Sequence, residues 1–326
     1  AWKERRLQRM AKRKRRKRPS IFIGIFLAGL VLVLAMAAAG RILLREAIGN
    51  TESSSLFTRE SGSVELGTLF SRNYVLMGRY TGTIYSEKGG EERIYPASMT
   101  KIMTVLTALE NLEDLNAAVT MPQEIYPSLY AQDASMAGFE PGETVTCRDL
   151  LYGAMLPSGA ECCETLARTV AGTEEAFVEQ MNEKARELKM TGTHFANTTG
   201  LHDKNHYSTA KDLAVLLSYA LKDEDFCAVF TASQYTASPS QSHPSGLFMT
   251  STLRQEMQEN GIEEDRILGG KTGYTSQAGL CLASLLKIGD REYVLVTAHA
   301  DGDHETKPYH ILDAAAVCEK LGELPE

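Results

Sequence analysis

The stretch Tyr95–Thr104, "YPASMTKIMT", places a serine three residues ahead of a lysine, just after a proline. Proline suits the first turn of a helix because its missing N–H has no intrahelical partner there, so a helix is expected to start near Ala97. Advancing about 100° per residue, Ser98 lines up with Ile102, Val105 and Leu109, an apolar face, and Lys101 flanks that face one turn on. Thr100, Thr104 and Thr107 take the opposite side. A lysine beside a buried face at the positive end of a helix is pushed toward its neutral amine by desolvation and by the helix dipole. A neutral amine next to a hydroxyl can act as its general base, a contribution of about 10²–10⁴-fold in rate. The competing interpretation is a first-turn lysine that carries its charge out into water. S-x-x-K is too short to decide by itself, so the rest of the chain has to.

Two further short motifs accompany it. "MLPSGAE", Met155–Glu161, sits between two helical patterns, and "GGKTGYT", Gly269–Thr275, opens the late strand patterns. Gly270-Lys271-Thr272 has the ending of a phosphate-binding loop, but that motif requires a glycine where Asp265 stands and a helix afterwards. In chain order, S-x-x-K, S-G-x and K-T-G are the motifs of penicillin-recognising serine enzymes. The intervals, 60 residues from Ser98 to Ser158 and 113 from Ser158 to Lys271, leave room for a helical subdomain. Here the chain resembles the serine-type D-alanyl-D-alanine carboxypeptidases, the low-molecular-mass penicillin-binding proteins. "YPASMTKIMT", "GETVTCRDLLYGAMLPSGAE", "FVEQMNEKARELKMTGTHFANTTGLHD", "STAKDLA" and "GGKTGYTSQAG" are all similar to that family's characteristic segments, and the likeness runs over residues 70–320.

The resemblance implies a role for each residue. Ser98 would attack the penultimate D-alanine carbonyl of a peptidoglycan stem peptide, Lys101 would take its proton, and Ser158 would relay a proton to the departing D-alanine. Lys271 and Thr272 would hold the terminal carboxylate, with Gly273 and Tyr274 completing the substrate-binding strand. The N–H groups of Ser98 and Tyr274 would form the oxyanion hole, worth about 2.7–4 kcal/mol per donor. β-Lactams would trap Ser98 covalently, and no cofactor or metal is implied. Two departures stand out. The family usually carries asparagine where this chain has Ala160, and a lost buried hydrogen bond costs on the order of 1–3 kcal/mol, roughly 5- to 150-fold. Glu326 also follows soon after the last family-like helix, so the anchor is expected at the N-terminal end. The alternatives are a β-lactamase and a weakly active penicillin-binding sensor or peptidoglycan-binding protein. "NTTGLHD" and "GGKTGYT" favour the carboxypeptidase, and a sensor would carry a larger cytoplasmic output part.

Charge and hydropathy divide the 326 residues. Residues 1–18 hold 11 Lys/Arg against Glu4, which leaves 23 basic and 41 acidic groups, a net of −18, for the remainder. A basic arm could meet nucleic acid, but the uncharged run Ile21–Gly40, "IFIGIFLAGLVLVLAMAAAG", follows at once. Its 20 residues make a helix of about 30 Å, the thickness of a bilayer's hydrocarbon, and the basic flank places residues 1–20 in the cytoplasm. The expected plan is a cytoplasmic basic tail (1–20), a transmembrane signal-anchor (21–40), a polar Ser-rich linker (41–63) and an extracytoplasmic catalytic domain (64–326), or a secreted domain if the signal is cleaved. The six cysteines lie in the exported part, yet a domain of this size needs no staples, and Cys162-Cys163 suit a helix interior.

Local patterning outlines an α+β fold. "YVLMGRYTGTIY" (74–85) reads as strands broken at Gly78 and Gly82, and helical periodicity dominates from Ala97 to Leu221, including a Thr209/Asp212 capping box. "GLCLASLLK" and "EYVLVTAHA" form a hairpin about "IGDR", and a helix near His310–Leu321 closes the chain. Strands at both ends around a helical middle imply one antiparallel sheet with helices on its faces and an inserted helical subdomain, the penicillin-binding protein/β-lactamase-like arrangement. His202 and His206 are spaced like helical metal ligands but stand in a Gly/Asp/Asn-rich loop, so a structural or surface role is expected. His299, Asp301, Asp303 and His304 are expected to form a solvated turn after a strand.

Overall fold

The computed structural model describes residues 64–324. Its strands are β1 (Asn73–Gly78), β2 (Ile84–Lys88), β3 (Ala118–Thr120), β4 (Thr144–Thr146), β5 (Gln234–Thr236), β6 (Phe248–Thr250), β7 (Ile267–Thr275), β8 (Gly279–Ile288) and β9 (Arg291–Ala300). Its helices are α1 (Lys101–Asn111), α2 (Tyr126–Ala131), α3 (Cys147–Met155), α4 (Ala160–Ala171), α5 (Glu174–Glu187), α6 (Ala210–Ala220), α7 (Glu224–Thr231), α8 (Thr252–Glu259) and α9 (Tyr309–Gly322). The tail, span and linker read from residues 1–63 lie outside the described residues, among which no helix is long and apolar enough to cross a membrane.

β1 and β2 join β7, β8 and β9 in one antiparallel sheet of order β2-β1-β9-β8-β7, and the helical segments are inserted between. The α+β arrangement and the sheet built from both ends agree with the sequence reading. The turn between Ile288 and Arg291 has Gly289 at φ 58°, a backbone conformation that glycine adopts without a Cβ clash. Alternation then sorts the strand side chains. Val75, Met77, Ala283, Leu285, Val294 and Val296 pack with α1 and α3 to α7, whereas Leu76, Leu282, Leu286 and Leu295 pack under Ile311, Ala314, Val317 and Leu321 of α9. Both faces are covered, so the central strands are apolar on both sides and read as nearly continuous hydrophobic runs.

Two local expectations change, and the one for the cysteines holds. At the start of α6, Thr209 Oγ1 accepts the Asp212 N–H at 3.0 Å, but the Asp212 carboxylate turns away to Gly192 N (2.9 Å) and Thr193 Oγ1 (2.7 Å), leaving half a capping box. The reciprocal box occurs at α3, where Asp149 takes the Thr146 N–H and returns its own. Helix α1 has no polar face: Lys101 to Ala108 are all buried, because the helix runs between the sheet and its neighbouring helices. Of its two threonines, Thr104 bonds through Oγ1 to Thr198 O at 2.7 Å, whereas the buried Thr107 Oγ1 has no hydrogen-bond partner. The six cysteines are free thiols, with Cys162 and Cys163 buried inside α4.

Candidate active site

Three segments distant in sequence meet in one cleft of about 300 Å³, with Ser98, Ser158, Thr272, Gly273 and Tyr274 in its wall. Ser98 stands in a 3-10 turn, Ala97–Thr100, leading into α1. Ala97 adopts φ 47°, unfavourable for a residue with a Cβ, so the turn carrying Ser98 is held by its surroundings. Lys101 Nζ lies 3.1 Å from Ser98 Oγ and 2.7 Å from Thr199 O. The lysine is 2% exposed, and burial holds its amine below the ordinary lysine range against smaller opposing effects of Cys163 and Glu161.

Ser158 occupies the turn between α3 and α4 at φ 66°, and its buried Oγ has no hydrogen-bond partner. Lys271 comes from β7, an edge strand. It is 1% exposed, donates to Thr272 O at 2.9 Å, and is pushed down to about 7, first by burial and then by the charge of Lys101. Two buried amines near each other favour an anion between them. Thr272 Oγ1 lies 2.7 Å from Thr252 Oγ1. At Gly273 a Cβ would stand 2.9 Å from Ser98 N, so only glycine lets the edge strand approach Ser98 this closely.

The structure answers the question raised by Ala160. That residue is buried at the first position of α4, and its N–H donates to Ser135 O at 2.8 Å. Glu161 does not stand in for the missing amide. Its Oε1 accepts the N–H groups of Ala137 (2.7 Å) and Gly138 (2.9 Å), pinning the loop that carries the cleft residue Ser135. Burial raises its pKa, and Oε2 is left without a partner.

The far wall was not foreseen. Glu256 and Glu259 of α8, together with His304 and His310, line the cleft. Glu256 is pushed up to about 7 by burial, with Lys271 acting in the opposite direction, and its Oε2 lies 3.5 Å from His310 Nε2. Burial takes His310 down to about 3. The reading of a solvated turn holds for the exposed Asp301, Asp303 and His304 but not for His299. His299 belongs to β9, at a register shift, with Nδ1 2.9 Å from Asn73 Oδ1, and the exposed His304 packs edge-on against Tyr274 at 4.8 Å. No short motif marks these residues, since helix phase and loop path bring them to the cleft. Among the described residues no group of three metal-type ligands clusters. His206 is buried, and His202 packs on Tyr95.

Comparison with known proteins agrees with this geometry. A family model described as D-alanyl-D-alanine carboxypeptidase matches residues 60–302. The chain is 35% identical to the D-alanyl-D-alanine carboxypeptidase DacF of Bacillus subtilis over 239 residues, 72% of this chain and 59% of that protein. It is 30% identical to DacC of Escherichia coli over 252 residues, 74% of this chain and again 59% of the relative. The chain thus spans less than two thirds of the length of these curated relatives. Among solved structures, a Streptomyces DD-transpeptidase superposes with TM-score 0.70 at 26% identity, covering 79% of this chain and 98% of that one. A D-alanyl-D-alanine carboxypeptidase from Mycobacterium tuberculosis gives TM-score 0.70 at 25% identity, covering 82% and 97%. By sequence and by fold, the chain belongs to the D-alanyl-D-alanine carboxypeptidase family of serine peptidases.

Proposed function

We propose that this protein is a serine D,D-carboxypeptidase that removes the terminal D-alanine from peptidoglycan stem peptides, and that β-lactams acylate the same serine. The observation that carries this reading is the buried Lys101 amine 3.1 Å from Ser98 Oγ, a serine in the wall of a cleft that Ser158 and Thr272 also line. As a neutral amine, Lys101 accepts the hydroxyl proton while Ser98 Oγ bonds to the carbonyl carbon. The N–H groups of Ser98 and Tyr274 receive the oxyanion. Collapse of the tetrahedral intermediate breaks the C–N bond, and the unpartnered hydroxyl of Ser158 passes a proton to the leaving amine. Water then attacks the acyl-enzyme, restoring Ser98 and releasing the shortened peptide. The ammonium of Lys271 and the hydroxyl of Thr272 hold the terminal carboxylate. Residues 64–326 form the catalytic domain in this reading, outside the membrane, with Ile21–Gly40 as its anchor; the hydropathy and flanking charge of residues 1–40 support that placement.

The test is to incubate the protein with a D-Ala-D-Ala-terminated peptide and measure free D-alanine. Release that disappears in Ser98→Ala is expected. Covalent labelling by fluorescent penicillin without D-alanine release would replace this reading with a penicillin-binding sensor, and rapid β-lactam turnover without peptide cleavage would replace it with a β-lactamase.

A further inference from the structure

The mechanism above leaves His206 unused, yet the ring is buried, 2% exposed, between the nucleophile's turn and the loop that holds Lys101. The backbone N–H groups of Ala196 and Asn197 point to its Nδ1 at 3.0 and 3.4 Å. A backbone N–H only donates, so Nδ1 is the accepting nitrogen. Burial brings the ring down to about 4, so it is neutral near pH 7 and its one proton sits on Nε2. Nε2 lies 2.7 Å from Thr100 Oγ1 and donates to it. The threonine's own proton is thereby directed to the Ala97 carbonyl oxygen, also at 2.7 Å. The relay runs one way, from His206 through Thr100 to Ala97.

The Ala97 carbonyl shares its peptide plane with the Ser98 N–H. In a planar trans peptide the two point in opposite directions, so anchoring one aims the other. The same loop closes on the turn elsewhere. A Cβ at Gly200 would stand 1.9 Å from Ala97 O, and Thr199 O takes the Lys101 amine. On the other side, the Ser98 nitrogen sits against Gly273 of the edge strand.

We propose that His206 and Thr100 are positioning residues: their relay anchors the Ala97 carbonyl and so aims the Ser98 N–H at the developing oxyanion. This rests on the reading of Ser98 as the acylated nucleophile. The relay moves no proton and touches no substrate. Its effect belongs to the tetrahedral state, because ground-state binding does not use the oxyanion donor.

The experiment compares the wild-type chain with Thr100→Val, Thr100→Ser, His206→Asn and the Thr100→Val/His206→Asn double variant. It reads the acylation rate at saturating fluorescent penicillin, the non-covalent affinity for that penicillin, the affinity for a peptidyl boronic acid whose serine adduct is tetrahedral, and thermal midpoints. Thr100→Val is expected to lose about ten- to a hundredfold in acylation rate with unchanged non-covalent affinity. Boronate affinity falls by the same factor, and Thr100→Ser recovers both. The double variant is no slower than the slower single one, since either change cuts the same relay. Wild-type acylation in Thr100→Val, unchanged boronate affinity, or additive losses overturns the proposal. Should Thr100→Val fail to fold, His206→Asn decides by the same readouts, since its amide retains the acceptor for Ala196 but falls short of Thr100. A wild-type chain that penicillin does not acylate overturns the reading of Ser98 itself, whereas an acylated wild type with unaffected relay variants overturns this proposal alone.

Discussion

Replacing Gly273 by alanine separates the geometry of the cleft from the stability of the sheet. The added Cβ would stand 2.9 Å from Ser98 N, 3.2 Å from Ala97 Cβ and 3.3 Å from Met99 N. The last two belong to a tight turn and the first is backbone, so none is a flexible tip that can swing aside. Reaching an ordinary contact of about 3.5 Å requires the edge strand and the nucleophile's turn to separate by about half an ångström. Oxyanion donors work within about 2.7–3.1 Å of the oxygen, a window narrower than that separation. Gly273→Ala should therefore act like removal of one donor, about 10²–10³-fold in acylation, together with an overpacking cost of about 1–3 kcal/mol in stability. Gly270→Ala on the same strand is the control. Its Cβ would meet the tips of Leu253 (2.9 Å) and Leu282 (3.1 Å) besides Ala283 O (3.1 Å), all away from Ser98. It should lower the melting midpoint and leave the acylation rate nearly intact. Stopped-flow acylation by fluorescent penicillin and thermal melts of both variants make the comparison. Wild-type acylation in Gly273→Ala, or an equal loss in Gly270→Ala, would refute the steric reasoning.

Lys271 and Glu256 both titrate at about 7. Below that pH the amine is charged and the carboxyl neutral, whereas above it the amine is neutral and the carboxylate charged. KM for a carboxylate-terminated peptide should thus rise above pH 7, by up to about tenfold per unit from Lys271; a KM that stays flat from pH 5.5 to 8.5 contradicts this. Asp313, 1% exposed on α9, accepts the N–H groups of Phe70 and Ser71, each at 2.8 Å. Asp313→Ala leaves the buried Ser71 N–H without its acceptor and should cost about 1–3 kcal/mol, read as a fall in the denaturation midpoint, and an unchanged midpoint would show that the tie is dispensable. Five cysteines are buried and Cys227 is partly exposed, so a disulfide-exchange reagent should titrate one thiol in the native chain and six in denaturant. Fewer than six after unfolding would mean that a disulfide forms.

Much of the fold was legible because its signals are local. The hairpin turn at Gly289-Asp290, the two-faced alternation of β8 and β9, and the helical periods between Ala97 and Leu221 each follow from a few neighbouring residues. The Ser98–Lys101 pair was legible for the same reason, since three residues of helix bring them together wherever the helix lies. That the threonine side of α1 is buried as well was not legible, because threonine spacing cannot say how many neighbours a helix will have. The Thr209/Asp212 box failed because a loop at Gly192 and Thr193, distant in sequence, competed for the carboxylate.

By itself the sequence determined the family, the terminal-strand sheet and the three motifs, all carried by short-range spacing. Only the tertiary structure decided that Glu161 serves a loop rather than the reacting centre, that Glu256, His304 and His310 wall the cleft, and that His206 reaches the nucleophile's turn through Thr100. The physical reason is range. Dihedral preference and hydrophobic period act over a few residues, whereas the burial that lowers Lys101 and Lys271 exists only once segments more than a hundred residues apart have excluded water together.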